Sequence, residues 1–197
     1  VLAGGILGAV IGPNLAHHTR DWFSVPFAGA YAALAGVALL SLAVLSFIHF
    51  PALPQADPAH PGRPLREIAR QPVFIVAVMC AALGFGVMNL LMAATPIAMQ
   101  HHHHEFRHTA LVLEWHVLGM FVPSFFTGHL IKRFGVVKVL WAGVALNLGC
   151  IAVALSGVDL MQFLIALLLL GVGWNFLYVG GTTLFTEAYR PEERTTA

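Results

Sequence analysis

Residues 160–186 contain no Asp, Glu, Lys or Arg and consist mostly of Leu, Val, Phe, Gly and Ala. As a helix, that run would extend about 40 Å, more than the roughly 30 Å hydrocarbon core of a bilayer. Residues 25–49 and 72–98 have the same character, 109–131 and 136–156 are equally apolar but for Glu114 and Lys138, and residues 1–16 form a shorter run of about 24 Å. The chain is 58% hydrophobic and 10% charged, with a mean hydropathy of +0.81, whereas soluble domains carry about 25% charged residues. Too few polar groups exist to cover these runs, so lipid is the solvent that the composition demands. The expected fold class is all-α integral membrane, with five complete spans (25–49, 72–98, 109–131, 136–156 and 160–187) and a truncated one at 1–16. Val1 lies inside an apolar run, so the chain reads as cut from a longer one. The net charge of +1 excludes a global basic field for nucleic acid. Cys80 and Cys150 fall within apolar runs and read as buried thiols rather than a disulfide framework.

The connections set the orientation. Residues 50–71 form the longest hydrophilic stretch, with five prolines that prevent a continuous helix. Within it, Leu65 to Ile68 are predicted to form a short interfacial helix before Pro72. The turn from Gly128 to Lys138 places Lys132, Arg133 and Lys138 between two apolar runs. Short cationic loops stay on the cytoplasmic side because moving their charges across the bilayer is costly. With this turn inside and the spans alternating, Arg63, Arg66, Arg70, Lys132, Arg133, Lys138, Arg190 and Arg194 are all cytoplasmic, and only Arg20 and Arg107 lie outside.

The same turn carries a family resemblance. Gly128, Leu130, Arg133 and Gly135 match G-x-L-x-D-R-x-G-R-R, the helix 2–3 turn of major facilitator superfamily transporters, which recurs in degenerate form between helices 8 and 9. Lys132 replaces the Asp, and Val136 and Val137 replace the basic pair. Gly8, Gly12 and Pro13 resemble the helix-5 motif G-x-x-x-G-P-x-x-G-G of antiporters in that superfamily, with Ala16 and His17 in place of its final glycines. The tail from Glu187 to Arg194, with an acid ending the helix and Arg194 following Pro191, resembles the loop after helices 4 and 10. The resemblance implies a bacterial-type fragment running from most of helix 5 to helix 10. Residues 1–49 would end the N-terminal six-helix half, 50–71 would be the central cytoplasmic linker, and 72–197 would open the C-terminal half. It also implies secondary active transport of a small organic solute by alternating access, in partnership with the remaining helices, the bilayer and protons, in the bacterial cytoplasmic (inner) membrane.

Polar groups within the spans are the candidate site, since they are expensive in hydrocarbon and usually face a protein interior or a water-filled path. On the 160–187 run, Gly171, Asn175, Tyr178 and Thr182 share one helical face, as Ala82, Gly86, Asn89 and Ala93 do on the 72–98 run. Asn89, Trp174, Asn175, Tyr178 and Thr182 are read as lining a substrate cavity, with interhelical hydrogen bonding as the alternative role. An aromatic face around Trp115, Phe121, Phe125, Trp174 and Tyr178 would suit a flat or aromatic solute. Gly173, Gly180 and Gly181 are expected to make the last helix pliable. Gly4, Gly8 and Gly12 form a face open to close backbone approach, as do Ala28, Ala32 and Gly36.

Glu114 is the one acid well inside a span and, with His116, the candidate for proton coupling; the alternatives are an acid reaching outer water or pairing with Arg107, and a His that bonds a neighbouring helix. Glu187 and Lys132 or Arg133 are a candidate cytoplasmic gate pair. Consecutive histidines point in different directions, so His101 to His104 supply no converging ligand set, and no metal or cofactor is assigned. No phosphate-binding loop or catalytic constellation points to an enzyme. A second class stays open: a metal-binding or sensor protein built on the histidine loop, distinguishable by metal titration with His101 to His104 changed to Ser. On this topology, single cysteines at Ser24 and Thr109 should react with an impermeant thiol reagent applied outside, and cysteines at Ala59 and Thr195 should not. The reverse pattern would invert the orientation.

Overall fold

The computed structural model describes residues 2–48 and 63–188, and every regular element among them is helical. In order these are α1 (Leu2–Thr19), α2 (Ala28–Ser46), α3 (Leu65–Ala69), α4 (Pro72–His101), α5 (Phe106–Phe121), α6 (Ser124–Phe134), α7 (Val136–Ala154) and α8 (Leu160–Glu187). The expected features at 49–62 and in the tail at 189–197, including Arg190, Pro191 and Arg194, lie outside the described residues. Helices α2, α4, α7 and α8 are each long and apolar enough to cross a membrane, and α5 and α6 are so when taken together across a 41° bend. The chain is an all-α membrane fold.

Helix α8 is the centre, and α4, α5 and α7 each pack against it. Between lipid-solvated helices, packing quality rather than hydrophobic burial drives association, so small residues that let backbones touch are decisive. Three close approaches on α8 follow this rule. A Cβ at Gly171 would overlap the His116 carbonyl oxygen of α5. A Cβ at Gly173 would lie 3.0 Å from the Gly143 carbonyl of α7, and one at Gly143 would lie 3.0 Å from the Gly173 carbonyl. At Gly181, the Ala77 carbonyl of α4 would be 3.2 Å away. Interlocked side chains fill the space between these crossings: Ala77, Leu140, Leu177 and Leu184 in one cluster, and Met99, Val112 and Leu167 in another. The glycines expected to loosen α8 thus serve its packing, and the helix runs unbroken.

The observed boundaries depart from expectation where proline and polar residues occur. α1 continues to Thr19 through Pro13, and α4 passes Pro96 and ends at His101. Prolines are tolerated within spans because neighbours can satisfy the freed backbone groups. The run read as one span at 109–131 is instead two helices meeting at 41° across Val122 and Pro123. At the α6–α7 turn, Gly135 has φ 88° and ψ 150°, which an L side chain rarely adopts.

The α1–α2 pair joins the rest chiefly through α1 against α5. Its own tight contact is at Gly29, where a Cβ would overlap the Thr19 carbonyl, whereas Cβ atoms at Gly4, Gly8, Gly12 and Gly36 would meet nothing within 4 Å. The glycine of α1 that is covered is Gly5, beneath the Phe121 ring. Along α2 only Gly29 is buried. Thr109 is buried too, which makes Ser24 the better external label.

Gly171→Ala should force α5 and α8 apart, because the obstructing atom is backbone, and should destabilise the fold by about 1–3 kcal/mol. Gly86→Ala, where a Cβ meets nothing within 4 Å, should leave stability unchanged. Thermal unfolding of the two variants in detergent checks the contrast.

Candidate functional site

Helices α4 and α8 diverge on one side of their crossing to leave a groove of about 590 Å³, lined by Ala81, Ala82, Phe85, Gly86, Tyr178 and Thr182 among others. Its walls are almost wholly apolar, because Ala82 and Gly86 present little more than backbone and the Thr182 hydroxyl donates back to the Tyr178 carbonyl at 2.8 Å. Aromatic rings dominate one end. The Trp174 and Tyr178 rings stack with centroids 4.8 Å apart and planes within 8°, and Phe85 tilts against Trp174 at 6.4 Å. Trp174 is buried behind Tyr178, which is 42% exposed. Asn89 is exposed, one turn beyond Phe85 on α4. This is the form of a site for a flat apolar ring, with ring stacking as the main attraction.

Asn175 lies elsewhere. Its side chain is 1% exposed and is spent on the α5–α6 break. Its amide nitrogen donates to the Met120 carbonyl at 2.6 Å and to the Ser124 hydroxyl at 2.5 Å, and its oxygen accepts from the Thr127 hydroxyl at 2.6 Å. Pro123 has no N–H to continue the helix ladder, and Asn175 supplies a donor and an acceptor where the ladder is interrupted. The amide therefore stitches helices, the alternative role weighed for it. Ser124 and Thr127 escaped the sequence reading; Pro123 followed at once by Ser and soon by Thr was the available signal. His116 is fully buried, and its Nδ1–H donates to the Leu167 carbonyl of α8 at 2.8 Å.

Glu114 is half-buried and lines a cavity of about 640 Å³ between α1 and α5. The same walls carry Asn14, His17, His18, Glu105, Arg107 and His108 beside apolar residues, so this cavity is far more polar than the α4–α8 groove. Phe121 packs under α1, while Trp115 and Phe125 are exposed on α5 and α6. The expected aromatic face is therefore divided, and only Trp174 and Tyr178 of it stack on each other.

In the histidine loop, the His104 Nε2–H donates to the Val158 carbonyl at 2.8 Å and so ties the α4–α5 loop to the α7–α8 loop. Among the described residues, no three His, Cys, Asp or Glu side chains are placed to hold a metal ion. At the opposite end Gly128, Lys132, Arg133 and Lys138 are exposed, with the Arg133 guanidinium 5.3 Å from the Phe134 ring centre. Glu187 is exposed, and among the described residues no ion pair joins it to Lys132 or Arg133. The end of α8 is instead tied to the start of α4: the Ala188 carbonyl accepts from Gln71 Nε2 at 3.0 Å and from Arg63 at 3.3 Å.

These positions make Asn175→Leu and Tyr178→Leu separable. Asn175→Leu leaves the Met120 carbonyl and the Ser124 hydroxyl without their partner, while Thr127 keeps its bond to the Pro123 carbonyl, and should cost about 2 kcal/mol, lowering membrane abundance. Tyr178→Leu, on an exposed groove wall, should leave abundance unchanged. Fluorescence-detected size-exclusion of the two variants would tell them apart.

The profile of the Major Facilitator Superfamily matches residues 1–197. The riboflavin transporter RfnT of Brucella anthropi is 42% identical over 98% of this chain and 50% of its own length. The uncharacterized MFS-type transporter YddS of Bacillus subtilis is 30% identical over 98% of this chain and 48% of its own. Another from that organism, YdeG, is 38% identical over 52% of the chain and 24% of its own. This chain thus spans about half the length of the curated relatives that it matches along its whole extent. No solved structure matches it. With a helical bundle of membrane-spanning length, the turn at Gly135 and a family match from end to end, the chain is a multi-pass membrane protein that belongs to the Major Facilitator Superfamily.

Proposed function

We propose that this chain serves secondary active transport of a flat heteroaromatic solute, of the isoalloxazine kind, by alternating access in a bacterial cytoplasmic membrane. In this reading α1 and α2 are helices 5 and 6 and end the N-terminal half, residues 50–71 are the cytoplasmic linker, and α4 to α8 are helices 7 to 10. The observation that carries the solute class is the Trp174–Tyr178 stack with Phe85, set in an apolar groove between α4 and α8. Stacking rewards a planar ring and tolerates variation at its edge. A relative 42% identical is named a riboflavin transporter, and riboflavin has such a ring. Asn89 supplies a polar group beyond the aromatic end of the groove, fitted to a solute's hydroxyl-bearing arm, and Thr182 borders the other end.

In the full-length protein reconstituted in liposomes, riboflavin should be taken up. Tyr178→Leu should raise its KM about tenfold, the value of one good ring contact, with Tyr178→Phe close to wild type. Uptake indifferent to both changes, or no riboflavin uptake at all, overturns the solute assignment.

Protons are proposed as the driving ion, with Glu114 as the group that carries them. The supporting observation is that Glu114 opens onto a polar cavity at the α1–α5 contact, among His17, His18 and His108. Gln retains the size of Glu but cannot ionise. Glu114→Gln should therefore abolish accumulation against a gradient while solute exchange without a gradient continues. A Gln variant that still accumulates solute removes Glu114 from the coupling.

A further inference from the structure

Phe106, the first residue of α5, lies where three groups of the α1–α2 segment converge. The His17 ring stacks on it with centroids 5.9 Å apart and planes within 16°. The Phe27 ring tilts against it at 6.0 Å. The Arg20 guanidinium sits over its face, 4.9 Å from the centroid, and is held there by an Nε–H donated to Asp21 at 2.8 Å. Each contact is of a kind worth a modest energy alone. Together they concentrate the outer end of the α1–α5 contact on a single side chain. The neighbouring residues Glu105, Arg107 and His108 line the polar cavity that contains Glu114. Below, α1 and α5 stay in contact as far as Gly5 and Phe121, and α5 then ends at the break.

We propose that Phe106 is the latch of the outer gate: His17, Arg20 and Phe27 grip its ring when the two halves close on the outside, and their release opens the Glu114 cavity to external water. The proposal rests on the alternating-access reading above. Its device is a ring held by one cation and two other rings, with no buried ion pair to desolvate. Such a clasp opens and closes without exposing an unpaired buried charge, which suits a contact broken once in every cycle. Phe27 is itself held in place by backbone, with φ 63° and its N–H donating to the Arg20 carbonyl at 3.0 Å, so the grip is set by the α1–α2 turn as a unit.

The test uses the full-length protein in membranes, with a single reporter cysteine at Ala110, a half-buried position on the cavity wall, and an impermeant thiol reagent added outside. Phe106→Ala should raise the labelling rate about tenfold by shifting the population toward the outward-open state. Phe106→Trp, which restores a ring, should label at the wild-type rate, and Arg20→Gln should give an intermediate increase. If Phe106→Ala fails to accumulate in the membrane, Arg20→Gln and His17→Leu decide by the same readout. Equal rates in wild type and the gripping variants, or equal acceleration by Phe106→Ala and Phe106→Trp, overturn the latch. The readout needs no solute, so the two proposals fail separately. Accelerated labelling without riboflavin uptake keeps the latch and removes the solute assignment, whereas uptake with unchanged labelling does the opposite.

Discussion

Everything in this bundle depends on how closely other helices can approach α8. In lipid a buried Leu gains little over an exposed one, so close-range packing must hold the helices together. The paired contact of Gly143 and Gly173, each facing the other's carbonyl at what would be 3.0 Å from a Cβ, brings α7 and α8 nearly backbone to backbone. Gly171 does the same toward α5, and Gly181 toward α4. Since these glycines point in different directions around one helix, α8 can seat three neighbours at once. The groove between α4 and α8 is a consequence of that geometry. The two helices meet at Ala77 and Gly181 and again at Gly84 and Leu177, and Phe85 and Tyr178 line the groove beside these contacts.

The second constraint is that polar groups in hydrocarbon must be satisfied within the protein. Pro123 interrupts the helix ladder inside an apolar run, and the resulting carbonyl and hydroxyls are all met by one amide on α8. Asn175 can do this because Gly171, one turn earlier, allows α5 to come close enough. His116 adds another bond across the same interface, to the Leu167 carbonyl. The bend of 41° is therefore held from outside the bent segment. A span anchored in this way can change direction at a defined point, which separates α5, packed along α1, from α6, which continues to the turn at Gly135.

What could be read from the sequence follows from the same physics. The ends of α8 were legible because Asp159 and Glu187 bound a charge-free run, and the observed helix is Leu160–Glu187. The starts of α4 and α7 were equally clear, marked by Gln71–Pro72 and by Gly135. The break within 109–131 was not legible, because Pro13 and Pro96 sit inside helices that continue and Pro123 looks no different locally. The partner that separates these cases is far along the chain, on α8. Helical periodicity put Asn175, Tyr178 and Thr182 on one face, which is correct as angle around the axis. It carried no information about level along the axis, where neighbours cross, so it could not tell that the Asn175 side chain is covered while Tyr178 and Thr182 reach a groove. The glycine motif of α1 was visible, but no spacing rule could show that Gly5, outside the motif, is the glycine a neighbour covers.

The distribution of polarity leaves the molecule with two chemically opposite openings. The α4–α8 groove is lined mainly by Ala, Gly and aromatic rings, and the Thr182 hydroxyl is turned back to its own helix. The α1–α5 cavity sets imidazoles, two carboxylates and the Arg107 guanidinium among apolar walls that include Pro13, Ala110, Leu111 and Leu160. A planar ring gains from the first and loses from the second, since the second offers hydrated charges instead of ring faces. A proton has the reverse preference, because only the second presents groups able to take it. The separation lies in the contacts themselves: α4 and α8 face each other with rings and small residues, α1 and α5 with titratable groups. If solute and driving ion use these openings, the broadest link between them runs through α5, α8 and the bonds of Asn175 and His116 that join them. That makes the α5–α8 interface, rather than either opening, the place where one occupancy could change the other.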